Sequence, residues 1–219
     1  MKPAKDSTID YKRLVAKGYN VCADAYNAAR EKEKQPELSL LTSRLKNGAS
    51  VLDIGCGAGV PIAKILAERF AVTGVDISLE QINRAQKNVE KGRFIYGDIM
   101  NQHFESKTFD AVTIFYALFH LPREEHSELI KRIYRWLKPK GLLLATVTKL
   151  SDDSYTEDSF FGTTMFWSNF SLGDYQFLLQ NTGFVLIESC EIGHSYQSSF
   201  ETPFELHPLL LAQKSNNRG

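Results

Sequence analysis

The sequence predicts an α/β fold, with a mostly parallel sheet and helices on both faces, and the alternation of strand-like and helical segments supports this. Short apolar runs of β type alternate with stretches of helical periodicity along most of the chain. This alternation is typical of strand–helix–strand units, which bring successive strands into one parallel sheet. The chain has 219 residues, of which 43% are hydrophobic, enough for one domain with a substantial core. We therefore expect a single domain over residues 1–219.

Seven segments have the pattern of strands, and helical stretches lie between them. The strands are Val51–Ile54, Ala71–Val75, Arg93–Tyr96, Asp110–Phe115, Gly141–Val147, Phe184–Glu191 and roughly Glu205–Ala212. A helix is predicted directly after the second strand, because Ser78 can cap its first turn while Gln81 reaches back to the cap. Another is predicted after Pro122, where Glu124 and Glu125 suit the positive end of the helix dipole.

Two segments lie outside this alternation. Residues 1–47 have helical periodicity and no distinct composition, so we expect them to form a helical cover on the sheet. Residues 151–170 begin acidic and turn aromatic, and they are too long for a simple connection. We expect this second segment to be a lid insertion that is mobile without a ligand.

Charge and cysteine content argue against several classes of protein. The chain has 26 basic and 26 acidic residues, so no global field draws it to nucleic acid or to anionic membranes. Cys22, Cys56 and Cys190 form no C-x-x-C pair, which gives neither zinc spacing nor a disulfide framework. No apolar run approaches the roughly 18 residues of a membrane span. We expect a cytoplasmic protein without a metal site that binds neither nucleic acid nor membrane.

A glycine-rich turn follows the first strand. Gly55, Gly57 and Gly59 permit positive φ and leave no Cβ in the way, so a flat or anionic group can lie against the backbone near a helix N-terminus. The dinucleotide fingerprint requires a further glycine where this chain has Val60, and here an acid, Asp53, precedes the turn. This difference disfavours a nicotinamide cofactor.

Acidic residues stand at the ends of three strands. Asp53, Asp76 and Asp98 should meet in one crevice, because the carboxyl ends of parallel strands share one edge of an open sheet. Asp76 is placed to accept hydrogen bonds from both hydroxyls of a ribose, and Asp98 could accept one from the exocyclic amine of an adenine. The sequence therefore predicts a nucleoside-like ligand.

At these residues the chain resembles the class I S-adenosylmethionine-dependent methyltransferases. The resemblance runs from about Tyr19 to Lys149 and is carried by the motifs VLDIGCGAG, GVDIS, GDI, FDAVTIFYALFHLP and LKPKGLLL, in the family's order and spacing. It implies a seven-stranded sheet in the order 3-2-1-4-5-7-6 with the seventh strand antiparallel. It also implies S-adenosylmethionine as cofactor and methyl transfer by in-line displacement.

The resemblance implies a role for each matching residue of the site. The methionine portion would lie on Asp53, Gly55, Cys56, Gly57 and Gly59, and Asp76 would bind the ribose. The adenine would lie between Ile77 and Ile99, with its amine on Asp98. Phe115 would form the floor of the site near the sulfonium. Tyr19 and Tyr26 match aromatic positions of a helix that covers the cofactor in many members.

The acceptor of the methyl group is expected to be a small molecule. The stretch Phe115–Leu118 lacks the Asn-Pro-Pro-aromatic sequence of methylases that act on DNA adenine or on glutamine side chains. His120 lies just past the fourth strand, where an imidazole could take a proton from the acceptor or could simply hydrogen-bond to backbone. Tyr116, Trp167 and Tyr196 are candidates to line an acceptor pocket, although aromatic residues also serve as core.

Three other functions remain open on the sequence. The chain could be a non-catalytic module that binds S-adenosylmethionine, a methyltransferase that acts on protein or RNA, or an oxidoreductase with a nicotinamide cofactor. Binding without turnover would indicate the first of these. A preference for nicotinamide nucleotides would indicate the last.

Overall fold

The computed structural model describes residues 10–30, 33–193 and 206–216. The helices are α1 (Tyr11–Val21), α2 (Ala23–Arg30), α3 (Ser39–Thr42), α4 (Ile62–Ala67), α5 (Leu79–Asn88), α6 (Arg123–Trp136) and α7 (Leu172–Thr182), with 3₁₀ turns at Pro36–Leu38, Ile99–Asn101 and Leu118–His120. The strands are β1 (Ser50–Ile54), β2 (Ala71–Asp76), β3 (Arg93–Tyr96), β4 (Phe109–Ile114), β5 (Leu137–Thr146), β6 (Asp152–Phe160), β7 (Thr163–Asn169), β8 (Phe184–Gly193) and β9 (Leu206–Lys214).

Seven strands form one sheet in the order β3-β2-β1-β4-β5-β9-β8. Strands β1 to β5 are parallel to their neighbours within this group, whereas β9 runs antiparallel to both β5 and β8. Because β8 and β9 are the sixth and seventh strands of the sheet along the chain, the predicted order 3-2-1-4-5-7-6 with an antiparallel seventh strand is confirmed. The fifth strand begins earlier than predicted, since Leu137 already pairs with Phe109.

The core occupies both faces of the sheet, as the alternation of strands and helices predicts. On one face Leu52 and Val112 pack with residues of α6 and α7. On the other face Val51 and Ala111 pack with residues of α3 and α4. All four side chains are buried, which agrees with the nearly continuous apolar character of central parallel strands.

Residues 152–169 form an antiparallel hairpin, β6 with β7, apart from the main sheet. Met165 and Phe166 are fully buried against Val15 of α1, and the rings of Tyr11 and Phe166 stack with centroids 4.3 Å apart. The sequence indicated an insertion here but not its strands, because β6 is mostly exposed and lacks an apolar alternation. Whether the hairpin moves on ligand binding remains a prediction.

The predicted cap of α5 is found, but the reciprocal half of the predicted capping box is not. Ser78 Oγ accepts a hydrogen bond from the Gln81 backbone N–H at 3.2 Å. The Gln81 side chain instead accepts from Asn27 Nδ2 at 3.2 Å, because α2 lies close to this end of α5. A complete capping box occurs in α7, between Ser171 and Asp174. Across the residues that the structure describes, no helix has the length and apolar character to cross a membrane.

Candidate functional site

A cavity lies between the carboxyl edge of the sheet and helices α1 and α2, with an empty volume, mouth included, of about 980 Å³. Most of the predicted site residues line it, namely Tyr19, Tyr26, Asp53, Gly55, Cys56, Gly57, Asp76, Ile77, Asp98, Ile99, Phe115, Tyr116 and His120. The structure therefore brings together the strand-end acids and the aromatic residues of the N-terminal helices, as the sequence predicts.

The glycine turn after β1 brings backbone up to the cavity. Gly55 and Gly57 have φ values of +70° and +53°, in the left-handed region where a Cβ is strained. A Cβ on Gly55 would also lie 2.2 Å from the Cβ of Ala117. A Cβ on Gly57 would come no closer than 4.0 Å to a described atom, Gln81 Oε1, so the bare backbone at Gly57 leaves room beside it for a ligand.

Asp76, at the end of β2, is fixed by backbone donors on both sides. One carboxylate oxygen accepts from the Gly57 N–H and the other from the Ser78 N–H, each at 2.8 Å. Burial raises the pKa of Asp76, and the N–H groups of Ser78, Gly57 and Ile77 oppose that rise. A carboxylate has about four lone-pair sites, so acceptor capacity remains for a hydroxyl group of a ligand.

Asp98 is held from two directions. Its Oδ1 accepts from the Met100 N–H at 2.9 Å and caps the 3₁₀ turn that follows, while its Oδ2 accepts from Lys12 Nζ of α1 at 2.7 Å. Lys12 Nζ also lies 2.5 Å from Glu125 Oε2. Burial would lower the pKa of Lys12, but the hydrogen bonds to Asp98 and Glu125 outweigh it and raise that pKa. An adenine amine on Asp98 must therefore share the carboxylate with Lys12.

Asp53 is almost completely buried, with 2% of its surface exposed. Its Oδ1 accepts from the Thr113 hydroxyl at 2.8 Å, and its Oδ2 has no hydrogen-bond partner among the described residues. Burial raises the pKa of Asp53 to about 7; the Asp76 charge adds to this rise, whereas the Thr113 hydroxyl and the positive charge of Arg30 oppose it. The carboxyl group thus has one oxygen bound by protein and one left for the cavity that it lines.

Arg30, the last residue of α2, lines the same cavity. Its Nε donates to Glu33 Oε2 and its Nη1 to the Tyr26 hydroxyl, each at 2.8 Å. Its Nη2 is buried and, within the described part of the chain, has no hydrogen-bond partner. Burial would lower the pKa of Arg30, but Tyr26 and Glu33 outweigh it and the pKa is raised, so the guanidinium stays charged.

The geometry around His120 fixes its tautomer. Its Nδ1 lies 2.9 Å from the carbonyl oxygen of Phe166, which can only accept, so Nδ1 carries the proton. Burial lowers the pKa of His120 to about 4, against the opposing effect of the Phe166 carbonyl, and the ring is therefore neutral. Its Nε2 then accepts a hydrogen bond from the Tyr19 hydroxyl at 2.8 Å. Tyr19 joins α1 to the sheet through this bond.

Comparison with known proteins identifies the family. Residues 51–141 match the model of a methyltransferase domain. The fold is similar to that of an S-adenosylmethionine-dependent methyltransferase from Methanosarcina mazei, with a TM-score of 0.69, 22% identity, and coverage of 80% of this chain and 97% of that one. Both findings agree with the predicted resemblance to the class I S-adenosylmethionine-dependent methyltransferases, which the family model carries over residues 51–141. The predicted family is thereby confirmed, and S-adenosylmethionine is the cofactor of that family.

Other methyltransferases show the same similarity over different extents. The magnesium protoporphyrin IX methyltransferase of Synechocystis PCC 6803 with bound SAH has a TM-score of 0.70, 18% identity, and coverage of 94% of this chain and 100% of that one. Sterol 24-C-methyltransferase of Aspergillus fumigatus is 30% identical over 190 residues, which are 72% of this chain and 50% of that protein. Phosphoethanolamine N-methyltransferase of Plasmodium falciparum is 32% identical over 120 residues, which are 53% and 45% of the two chains. The chain spans about half the length of these curated relatives.

Features of the cavity lining itself also fit the cofactor of that family. The backbone beside Gly57 is open, and Asp76 is fixed with acceptor capacity to spare. Arg30 and Asp53 each keep one buried polar atom that has no partner among the residues described. Such atoms in a native structure call for a ligand or another explanation.

Three predicted site residues of the methyltransferase are not on the cavity wall as the structure describes it. A Cβ on Gly59 would lie 3.0 Å from Val89 Cγ2, so this glycine allows the turn to pack on α5. Trp167 lies behind His120, with ring centroids 4.4 Å apart, because β7 approaches the site from the outer side of that histidine. Tyr196 lies outside the described residues.

Sequence reasoning missed Lys12 and Arg30, although helical spacing carried a signal for both. Lys12 precedes Tyr19 by seven residues and Arg30 follows Tyr26 by four, and both spacings place two side chains on one helix face. The two tyrosines were predicted to face the site, so each charged residue could have been placed beside its tyrosine.

Proposed function

We propose that this methyltransferase transfers a methyl group from S-adenosylmethionine to a small-molecule acceptor by in-line displacement. The observation that carries the proposal is the meeting, in one cavity, of the Asp76 and Gly57 cradle with the hydrogen-bonded pair of Tyr19 and His120. When bound, S-adenosylmethionine supplies a sulfonium whose methyl group is electrophilic. The protein's own contribution is to bind, to align and to exclude water.

Helices α1 and α2 and the β6–β7 hairpin would exclude water from the cavity. Tyr19 and Tyr26 lie on the cavity wall with ring centroids 5.2 Å apart. Phe160 at the end of β6 packs behind both, at 5.9 Å from Tyr19 and 6.0 Å from Tyr26. A lining of this kind keeps the reacting centre dry and strengthens the electrostatic interactions inside it.

Tyr19 and His120 would accept the proton of the acceptor. An acceptor O–H or N–H placed against the Tyr19 oxygen gives up its proton there, while the Tyr19 proton moves along the existing hydrogen bond to His120 Nε2. His120 then carries protons on both nitrogens, with Nδ1 still donating to the Phe166 carbonyl. Because the pKa of His120 is lowered to about 4, this transfer requires the developing bond to acidify the acceptor first.

A small-molecule acceptor is supported by composition and by the relatives. The net charge of zero offers no counterion-release drive toward nucleic acid. The curated relatives are named as methyltransferases of a sterol, of demethylmenaquinone and of phosphoethanolamine, all of them small molecules. These names describe those proteins. For this chain they indicate small molecules as the class of acceptor to test.

The test is cofactor-coupled turnover across a metabolite panel, with release of S-adenosylhomocysteine as the readout and with protein and RNA fractions as further arms. We expect turnover with a small molecule that Tyr19→Phe lowers by about 100-fold or more, in keeping with the usual share of acid–base catalysis. Cofactor binding without turnover on any arm would indicate a binding module. Turnover confined to the protein or RNA arm would replace the acceptor class.

A further inference from the structure

A second buried histidine, His126 of α6, lies close to the turn that carries His120. Its partner is Tyr175 of α7, and the two residues have 0% and 1% of their surface exposed. Neither is among the residues that line the cavity as the structure describes it. A buried polar pair costs free energy unless its hydrogen bonds are complete, so those bonds indicate what the pair holds together.

The hydrogen bonds of this pair form one directional chain. Burial lowers the pKa of His126 to about 4, so its ring is neutral. Nε2 of His126 lies 3.1 Å from the carbonyl oxygen of Leu121, which can only accept, so Nε2 carries the proton and Nδ1 is an acceptor. The Tyr175 hydroxyl, 3.1 Å from Nδ1, therefore donates to it, and the Tyr175 oxygen accepts from the Phe170 N–H at 3.3 Å.

The two ends of this chain coincide with the two attachments of His120. Leu121 directly follows His120 and ends its 3₁₀ turn. Phe170 directly follows β7, the strand whose Phe166 carbonyl accepts the Nδ1 proton of His120. Phe170 is also fixed on its other side, since its carbonyl accepts from the Thr148 hydroxyl at 2.8 Å. The chain thus connects the backbone beside His120 to the strand that orients its ring.

We propose that His126 and Tyr175 are positioning residues for the methyl transfer, which hold the His120 turn and β7 at the spacing that brings His120 Nε2 to the Tyr19 hydroxyl. The inference rests on the proposed function, in which Tyr19 and His120 accept the proton of the acceptor. His126 and Tyr175 act only through backbone groups, and a complete hydrogen-bonded network of this kind rigidifies the segments that it connects.

A purely structural role is the competing interpretation, because the same bonds satisfy two buried backbone groups. Under that interpretation, loss of the Tyr175 hydroxyl would lower stability without any particular link to Tyr19. The places where the chain ends favour positioning, since one end adjoins His120 and the other adjoins the strand that holds it. The two interpretations differ in whether Tyr175 and Tyr19 act as one unit.

Tyr175→Phe breaks the chain and keeps the ring. We expect kcat to fall about tenfold, because a small displacement of a reacting group has a large cost, while KM and the affinity for S-adenosylhomocysteine stay within about threefold. Tyr134→Phe is the matched control: Tyr134 lies near the C-terminus of α6, with its hydroxyl 3.4 Å from Ser215 Oγ, and its loss should change none of these values. Equal losses of kcat in the two variants would overturn the proposal.

The combination with Tyr19→Phe tests whether the residues act as one unit. Where Tyr19 is already lost, Tyr175→Phe should lower kcat by no more than about twofold further, because substitutions within one unit are not additive. A further tenfold fall in the double variant would indicate an independent structural effect and would overturn the proposal.

Two variants of His126 provide a rescue. His126→Leu removes the centre of the chain, whereas His126→Gln keeps a donor and an acceptor on one side chain. We expect kcat to fall about tenfold in His126→Leu and to recover in part in His126→Gln. Equal kcat values in these two variants would contradict a role for the hydrogen bonds.

Proton NMR tests the positioning without turnover. The Nδ1 proton of His120 is buried and bound to the Phe166 carbonyl, and the resonance that disappears in His120→Gln belongs to it. Tyr175→Phe should shift this resonance or speed its exchange with water, and Tyr134→Phe should not; an unchanged resonance in Tyr175→Phe would overturn the proposal. If the wild-type chain turned over no acceptor, the proposed function would fail, and this resonance would still decide whether the chain holds His120.

Discussion

The two walls of the cavity are built in different ways. On the sheet wall, polar side chains are fixed largely by backbone close to them in the fold: Asp76 accepts from Gly57 and Ser78, and Asp98 from Met100. On the cover wall, which α1, α2 and the hairpin form, side chains are fixed by partners far along the chain. Tyr19 and His120 are 101 residues apart, and Lys12 and Asp98 are 86 apart.

This difference predicts that cofactor binding and closure of the cavity depend on different residues. The sheet wall adjoins the central core, and its acids Asp76 and Asp98 each accept from backbone N–H groups on the sheet side. The cover depends on a few long-range contacts, and segments held by few contacts open at lower free energy than the core. We therefore expect substitutions on the sheet wall to change cofactor affinity, and substitutions on the cover to change turnover or closure.

Asp76→Ala should give the largest effect. It removes the carboxylate that is placed for the ribose, and a charge-assisted pair of such bonds is worth roughly 2 to 3 kcal/mol. The affinity for S-adenosylhomocysteine should fall by about 30- to 150-fold, measured by calorimetry. Asp110→Ala is the control, since Asp110 also accepts from backbone and from a cation but stands at the start of β4, on the opposite edge of the sheet. An unchanged affinity in Asp76→Ala would refute the assignment of the sheet wall.

Trp167→Ala tests the contact between the β6–β7 hairpin and His120. Its ring packs on His120 and, at 5.3 Å, on Phe119, so its loss should loosen the base without touching the cofactor. We expect turnover to fall about tenfold or more while the affinity for S-adenosylhomocysteine stays within about threefold. Phe177→Ala, which removes an exposed aromatic side chain of α7, should change neither.

The mobility of residues 151–170 is checked by hydrogen exchange with and without S-adenosylhomocysteine. A lid gains protection on binding, because closure adds contacts to its exposed backbone. Equal protection in both states would instead indicate a fixed insert, and the comparison between a static wall and a closing wall would no longer hold.

Cofactor affinity should depend on pH through Asp53. Its pKa is raised to about 7, and the resemblance places the methionine portion of the cofactor, with its ammonium group, beside Asp53. Because that ammonium favours the ionised carboxylate, affinity for S-adenosylhomocysteine should fall by up to about tenfold per unit as pH drops below 7. The guanidinium of Arg30 stays charged over this range, because its pKa is raised further. Thr113 does not titrate, and His120, with its pKa lowered to about 4, stays neutral. Affinity for 5′-methylthioadenosine should stay flat between pH 5.5 and 8.5, and an equally flat profile for S-adenosylhomocysteine would contradict the role of Asp53.

Lys12→Met should give the smallest effect, because it breaks a partly exposed ionic bridge between the two walls. Lys12, Asp98 and Glu125 keep 22%, 15% and 32% of their side-chain surface exposed, so the free energy of unfolding should drop by about 1 kcal/mol or less. Urea unfolding at low salt should show the loss and 1 M salt should hide it. Lys17→Met, exposed on the same helix, should show no loss at either salt. A loss that persists in 1 M salt would mean that Lys12 acts through packing.

The sequence alone determined the sheet and most of the wall built on it. Strand order, the glycine turn and the three strand-end acids follow from elements that are consecutive in the chain, because parallel strands deliver their carboxyl ends to one edge. The same logic predicts that Asp53, Asp76 and Asp98 lie together. The helix start at Ser78 was equally local, since its cap bond spans three residues.

The tertiary structure alone decided how the cover meets the sheet. Helical spacing shows which side chains share a face, but not which partner that face finds, and so Lys12 on Asp98, Tyr19 on His120 and Trp167 behind His120 could not be derived. The raised pKa of Asp53 and the uncompleted guanidinium of Arg30 depend on burial, which exists only once distant segments have packed. The local sequence pattern determines the secondary structure and chemistry of a residue, and long-range packing determines which groups that residue contacts.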